Sequence, residues 1–261
     1  MRTVAIMNYK GGVGKTVTAI NFCAELAGRD KQVVLIDGDG QRNTTKFFKL
    51  TDDGERKYNT LYELLSGYGE SYDAFLYPTV VPELLVVPAS MELMKADISA
   101  IQSKQIRLNG VAELRDALAE DDAADYLVID CPPSFSAATL AALAAADEVI
   151  VPMKLDAFSV DGMTELLMQV DSMRRINPRL RVAGILITMW TRSIAVRSAE
   201  DVVRRSKLPV FRQTIRRSTV VDEHTYSGKP LRMYKPTSGV AADYAAFADE
   251  YLENGGAYHG E

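Results

Sequence analysis

The chain has 261 residues, 47% of them hydrophobic and 25% charged, with a formal net charge of −5. That balance belongs to a globular protein with a sizeable core and excludes a disordered or fibrous chain. No run of about 18 apolar residues occurs, which argues against a helical membrane span, and Lys10 and Gly11 break the early apolar stretch that a secretory signal would need.

In chain order, apolar β-branched runs alternate with helical patterns, the mark of an α/β fold with a mostly parallel sheet and helices on both faces. Strands are predicted over 3–8, 32–37, 84–88, 126–130, 148–153, 182–189 and 210–215. Helices are predicted over 15–28, 91–102, 111–120, 136–146, 160–176, 195–207 and 239–252. Residues 50–82 read as a surface insertion with one short helix over 60–65. Without repeats or long linkers, a single domain over 1–261 is the simplest organisation, and right-handed crossovers would place ligands at the carboxyl ends of the strands.

Between the first strand and the first helix stands Lys10-Gly11-Gly12-Val13-Gly14-Lys15-Thr16. Glycines let backbone N–H groups approach phosphate oxygens, and the helix that follows adds the positive end of its dipole. A nucleoside triphosphate is therefore the expected ligand, with Lys15 reaching its terminal phosphates and the Thr16 hydroxyl holding Mg²⁺. The general pattern G-x-x-x-x-G-K-[ST] is not strictly met, because Tyr9 stands five positions before Gly14.

The second strand ends in Asp37-Gly38-Asp39-Gly40-Gln41-Arg42-Asn43, two carboxylates leaving a buried strand beside the phosphate loop. That is where water and magnesium need organising for in-line attack on a γ-phosphate. A later buried strand, 126–130, ends in Asp130, followed by Cys131-Pro132-Pro133; this has the form of a Walker B element, and Asp130 would hold the Mg²⁺ hydration shell. Cys23 and Cys131 stand apart and read as reduced core residues of a cytoplasmic protein. Their number argues against a structural zinc or a self-contained iron–sulfur site, leaving one cysteine per copy at a dimer axis as the open route to a shared cluster. His224 and His259 lack metal-ligand spacing and read as surface residues.

The loop K-G-G-x-G-K-T resembles the deviant Walker A motif of the ParA/MinD/nitrogenase-iron-protein class of ATPases. The resemblance implies that Lys10 crosses a dimer interface to the partner's nucleotide, that Lys15 and Asp39 act in hydrolysis, and that Gly11, Gly12, Val13, Gly14, Lys15, Thr16 and Val17 surround ATP. It further implies that Asp39 positions the attacking water, while Asp37 supports the metal shell beside Thr16 and Asp130. The family's D-x-D-P-Q-G-N is matched except at Gly40 and Arg42, and its D-x-P-P by Asp130, Pro132 and Pro133. Val151-Pro152 followed by Asp156 to Gly162, then Ser227-Gly228-Lys229-Pro230-Leu231 and Tyr234-Lys235-Pro236-Thr237-Ser238, extend the likeness to most of the chain. Val17 stands where relatives carry a hydroxyl, a loss of about 0.5–1.5 kcal/mol in nucleotide affinity.

Residues 174–217 hold twelve basic side chains and two acidic ones, a net +10 in a chain whose remainder carries −15. Eleven of the twelve are arginine, which suits bidentate phosphate contacts. Without a recognition-helix motif, the expected mode is sequence-independent binding to DNA backbone, through Arg192, Arg197, Arg204, Arg205, Arg216 and Arg217. Arg197, Arg204 and Arg205 are spaced to share roughly one face of a helix.

Together these features predict a ParA/Soj-like ATPase of the short form, without a preceding DNA-binding domain. ATP would close a homodimer that binds nonspecific double-stranded DNA at the nucleoid of the cytoplasm, and weak hydrolysis, stimulated by a ParB-like partner, would release it during plasmid or chromosome partition. A MinD-like positioning ATPase is the peripheral-membrane alternative, but the ending 253–261 is not a basic amphipathic helix, so no membrane partner is expected. A nucleotide-gated DNA-binding regulator without useful hydrolysis is the non-enzymatic one.

Overall fold

The computed structural model describes residues 1–50, 57–67, 71–94, 107–156 and 167–254. Its centre is a seven-stranded sheet in the order β3-β4-β2-β5-β1-β6-β7. The strands are β1 (Arg2–Ile6), β2 (Val33–Asp37), β3 (Tyr77–Pro78), β4 (Leu84–Val87), β5 (Tyr126–Asp130), β6 (Glu148–Lys154) and β7 (Arg181–Thr188). Every pairing is parallel except that of β3 with β4.

Side chains alternate across the sheet with a period of two, and each face feeds its own core. On β1, Val4 and Ile6 join one cluster and Ala5, followed by Met7 just past the strand, the other; β2 divides Val33 and Leu35 from Val34 and Ile36 in the same way. Helices Lys15–Ala27 and Gly239–Glu253 cover the first face, where Phe22 packs on Phe247 and Tyr251 with ring centroids 5.3 and 4.9 Å apart. Helices Gly110–Glu120 and Ala137–Ala145 cover the second. Burial on both faces is why these strands read as continuous apolar runs.

Three expectations change. The predicted strand 210–215 forms only isolated bridges with or beyond β7, at Ile185–Val210 and Trp190–Arg216. Its central amides turn instead to a side chain: Arg212 N and Gln213 N donate to the two oxygens of Glu250, at 2.7 and 2.8 Å. The short helices Asn43–Phe47, Thr219–Ser227 and Leu231–Tyr234, and the edge strand β3, were not predicted. His224, read as a surface residue, is fully buried: its Nε2 lies 3.2 Å from Asn21 Nδ2 and its ring packs on Phe47. Most of the predicted helix 91–102, the first part of 160–176 and the ending 255–261 lie outside the described residues, as does His259; residues 167–173 are helical.

Candidate functional site

Parallel pairing brings the carboxyl ends of β1, β2 and β5 together at one edge of the sheet. Asp37 and Asp130 are register partners on β2 and β5, while β1, on the other side of β5, runs into the glycine loop. Gly12 and Gly14 have φ of 71° and 86°, left-handed values that favour glycine and turn the chain sharply into the helix at Lys15. Thr188, the last residue of β7, donates its hydroxyl to Val13 O at 2.8 Å and fastens the loop to the sheet.

Lys15 is almost fully buried and donates from Nζ to Lys10 O at 3.0 Å. Burial pulls its ammonium below the usual lysine range, against the opposing pull of Asp130. Lys10 is half-exposed and its amine forms an ion pair with Asp156 of the same chain. Tyr9, next to it, packs edge-on against the exposed ring of Phe135.

Asp37 and Asp130 are both buried, and burial raises each carboxyl, Asp37 to about 6 and Asp130 to about 7. Their mutual proximity adds to the shift of Asp130, whereas hydrogen bonds from Thr16 and Thr44 oppose it. Asp37 is fully engaged: Oδ2 accepts from Thr45 N and Oγ1 at 2.8 and 2.7 Å, and Oδ1 from Asp39 N at 3.1 Å. Asp130 is not. Its Oδ2 accepts from Thr44 Oγ1 at 2.9 Å, but Oδ1 is buried without a partner. A buried carboxylate oxygen left unpaired is costly, and a hydrated divalent cation is the kind of group that would satisfy it. Among the described residues no cluster of three or more His, Cys, Asp or Glu could hold a metal, so a cation here would depend on ligand phosphates for much of its shell.

Asp39 lies on the turn beyond β2, with Oδ1 accepting from Gln41 N at 2.9 Å and Asp39 O accepting from Arg42 N at 2.8 Å. Arg42, where the resemblance expects glycine, has φ of 60°, a left-handed conformation that costs a non-glycine residue about 1–2 kcal/mol. The sequence alone did not reveal the two threonines behind this turn. Thr44 and Thr45 are buried and reach Asp130 and Asp37 respectively; threonines just past Asn43 carry no signature in sequence that tells a buried hydroxyl from a surface one.

On the other side of the loop, a cavity of about 520 Å³ runs from Gly14 and Val17 to Met189, Ile215, Arg217 and Tyr244. Its walls come from segments far apart in sequence, which is why sequence reading missed it. A second cleft of about 460 Å³ adjoins it, lined by Trp190, Arg192, Gln213, Arg216, Arg217 and Asp243. The two share Thr191, Arg216 and Arg217.

The predicted basic residues fall into two groups. Arg192, Arg197, Arg205 and Arg217 are exposed. Arg204 instead turns from the helix Ile194–Arg205 to pair with Glu200 at 2.8 Å and donate to the carbonyls of Phe211 and Arg212, so it does not share the outward face of Arg197 and Arg205. Arg216 is exposed as well, but it grips the buried Asp243 through two 2.7 Å bonds.

A mostly parallel sheet in which an inner strand, β1, feeds a glycine loop, with an embedded lysine and two strand-end acids, defines a P-loop nucleotide hydrolase fold. A family model described as an AAA domain matches residues 1–182. The chain is 35% identical over 256 residues to the chromosome partitioning protein ParA of Myxococcus xanthus, covering 97% of this chain and 88% of that one. It is 32% identical over 259 residues to the sporulation initiation inhibitor protein Soj of Bacillus subtilis, with 97% and 99% covered. Among solved structures, cobyrinic acid a,c-diamide synthase from Mycobacterium smegmatis with bound ADP and magnesium superposes with a TM-score of 0.77 at 31% identity, covering 97% of this chain and 95% of that one. The cell division ATPase MinD of Pyrococcus furiosus shares the fold, with a TM-score of 0.77 at 21% identity and 97% and 98% covered. The chain belongs to the ParA/Soj family of P-loop ATPases.

Proposed function

We propose that the chain, acting as one ATPase domain over 1–261, is an ATP-dependent dimerising switch that binds nonspecific DNA and partitions or positions it, hydrolysis ending the bound state. The observation that carries this reading is the unpartnered Oδ1 of Asp130, buried beside Thr16 and Lys15 at the mouth of the glycine loop.

The triphosphate would lie along the N–H groups of Gly11 to Thr16, with Lys15 leaving the Lys10 carbonyl for the terminal phosphates. Thr16 and Asp130 would hold Mg²⁺ through its first and hydration shells, and Asp37, saturated by Thr45 and Asp39, would support that shell by fixing the turn. Bound there, the ion would neutralise charge developing on the phosphoryl oxygens. Asp39, with Oδ1 pinned by Gln41 N, offers Oδ2 to orient a water for attack on the γ-phosphorus, ADP leaving in line. The base and ribose fit the cavity between Val17 and Met189, where Val17 supplies apolar contact rather than a hydroxyl.

Lys10 would exchange Asp156 for the nucleotide of a second copy, and the exposed ring of Phe135 beside it gives that contact an apolar flank. DNA would meet the exposed Arg192, Arg197, Arg205 and Arg217, Arg204 and Arg216 serving to hold the surface in shape. The charge contrast between this sector and the rest of the chain supports that orientation. A ParB-like partner would speed hydrolysis at the nucleoid.

The test is DNA binding with ATP, with ADP and without nucleotide, each at two salt concentrations. ATP should raise affinity, and neutralising about six phosphates would give a logarithmic salt slope near −5. Equal binding in all three nucleotide conditions would contradict the switch.

A further inference from the structure

Thr44 and Thr45 open the short helix Asn43–Phe47, directly behind the turn that carries Asp39. Adjacent positions on a helix project about 100° apart, and Asp37 and Asp130 end adjacent strands about 4.8 Å apart. The two hydroxyls therefore reach one carboxylate each. Thr45 is locked on both sides, since its Oγ1 also accepts from Ala89 N at 2.8 Å beyond β4. Thr44 has the freer task. By donating to Oδ2 of Asp130 it sets, together with the hydrogen bond from Thr16, the rotation of that carboxylate, and Oδ1 is left as the unpaired oxygen.

We propose that Thr44 is a positioning residue that selects which oxygen of Asp130 faces the metal shell and thereby ties the Asp39 turn to cation binding. This rests on the metal role given to Asp130 above. Because Thr44 lies five residues beyond Asp39 on a short connection, displacement of the turn strains the Thr44–Asp130 bond and turns the carboxylate. Conversely, a cation held at Oδ1 holds the turn in place.

The experiment measures the affinity of the full chain for a fluorescent nonhydrolysable ATP analogue across a Mg²⁺ titration, with melting temperature as the control for folding. Thr44→Val, and Thr44→Ala as the smaller alternative, are expected to raise the Mg²⁺ concentration for half-maximal binding about tenfold, the scale on which outer hydrogen bonds tune a metal site. Thr44→Ser should restore it, and affinity without Mg²⁺ should not change. Asp130→Asn should shift the same midpoint, and adding Thr44→Val to it should shift it no further. A normal midpoint in both Thr44→Val and Thr44→Ala, with Asp130→Asn shifted, overturns the positioning role and leaves the metal site standing. Additive shifts in the double variant also overturn it. An unshifted Asp130→Asn removes the metal role itself, and the positioning role with it.

Discussion

Asp37 and Asp130, the acids of the proposed metal site, carry a cost in the free protein. Both carboxyls are raised by burial, to about 6 and about 7, from the 3.8 of an unperturbed aspartate. In the nucleotide-free protein they contribute stability that is complete below about pH 4 and lost as pH rises through about 6–7, because the folded chain binds protons that the unfolded chain has released. Melting of the nucleotide-free chain is therefore expected to fall between pH 5 and pH 8. Asp130→Asn should flatten that fall. Mg²⁺ with an ATP analogue, which needs the charged form, should stabilise more at pH 8 than at pH 5.5. A melting temperature that rises with pH in the nucleotide-free protein would contradict the assignment.

At the scale of elements, Lys15–Ala27 and β1, β2 and β5 lie close to where their patterns put them, because burial on both faces leaves a period-two or period-3.6 signal strong enough to read. What escaped reading depended on which acid each group finds in the folded chain, a contact that composition alone does not disclose. Residues 210–215 have the composition of a strand, yet Glu250, almost forty positions later, takes the amides that a ladder would use. Arg204 and Arg216 look like their neighbours in sequence and differ only in having Glu200 and Asp243 within reach. That difference is measurable. Alanine at Arg192, Arg197, Arg205 or Arg217 should change stability by less than about 0.5 kcal/mol, while each lost phosphate contact flattens the DNA salt slope by about 1. Alanine at Arg216 should instead lower the melting temperature, since it leaves the buried Asp243 without its main cation; a DNA defect at unchanged stability would place Arg216 with the first group.

For the whole molecule, the proposed switch needs two copies of the chain. Lys15, Thr16 and Asp130 converge on the glycine loop from one chain, and their types and order were legible in sequence because the backbone chemistry of phosphate binding admits few alternatives. Lys10 is different: its amine is paired with Asp156, its backbone carbonyl accepts from Lys15 and its N–H donates to Asn8 Oδ1. A role for its amine requires a second copy, and breaking one half-exposed ion pair is a small obstacle, about 0–1 kcal/mol. Sedimentation velocity of the full chain with Mg²⁺ and a nonhydrolysable ATP analogue tests this most directly. The wild-type chain should sediment as a dimer and Lys10→Ala as a monomer; a wild-type chain that stays monomeric at saturating analogue, or a Lys10→Ala chain that dimerises normally, would contradict it.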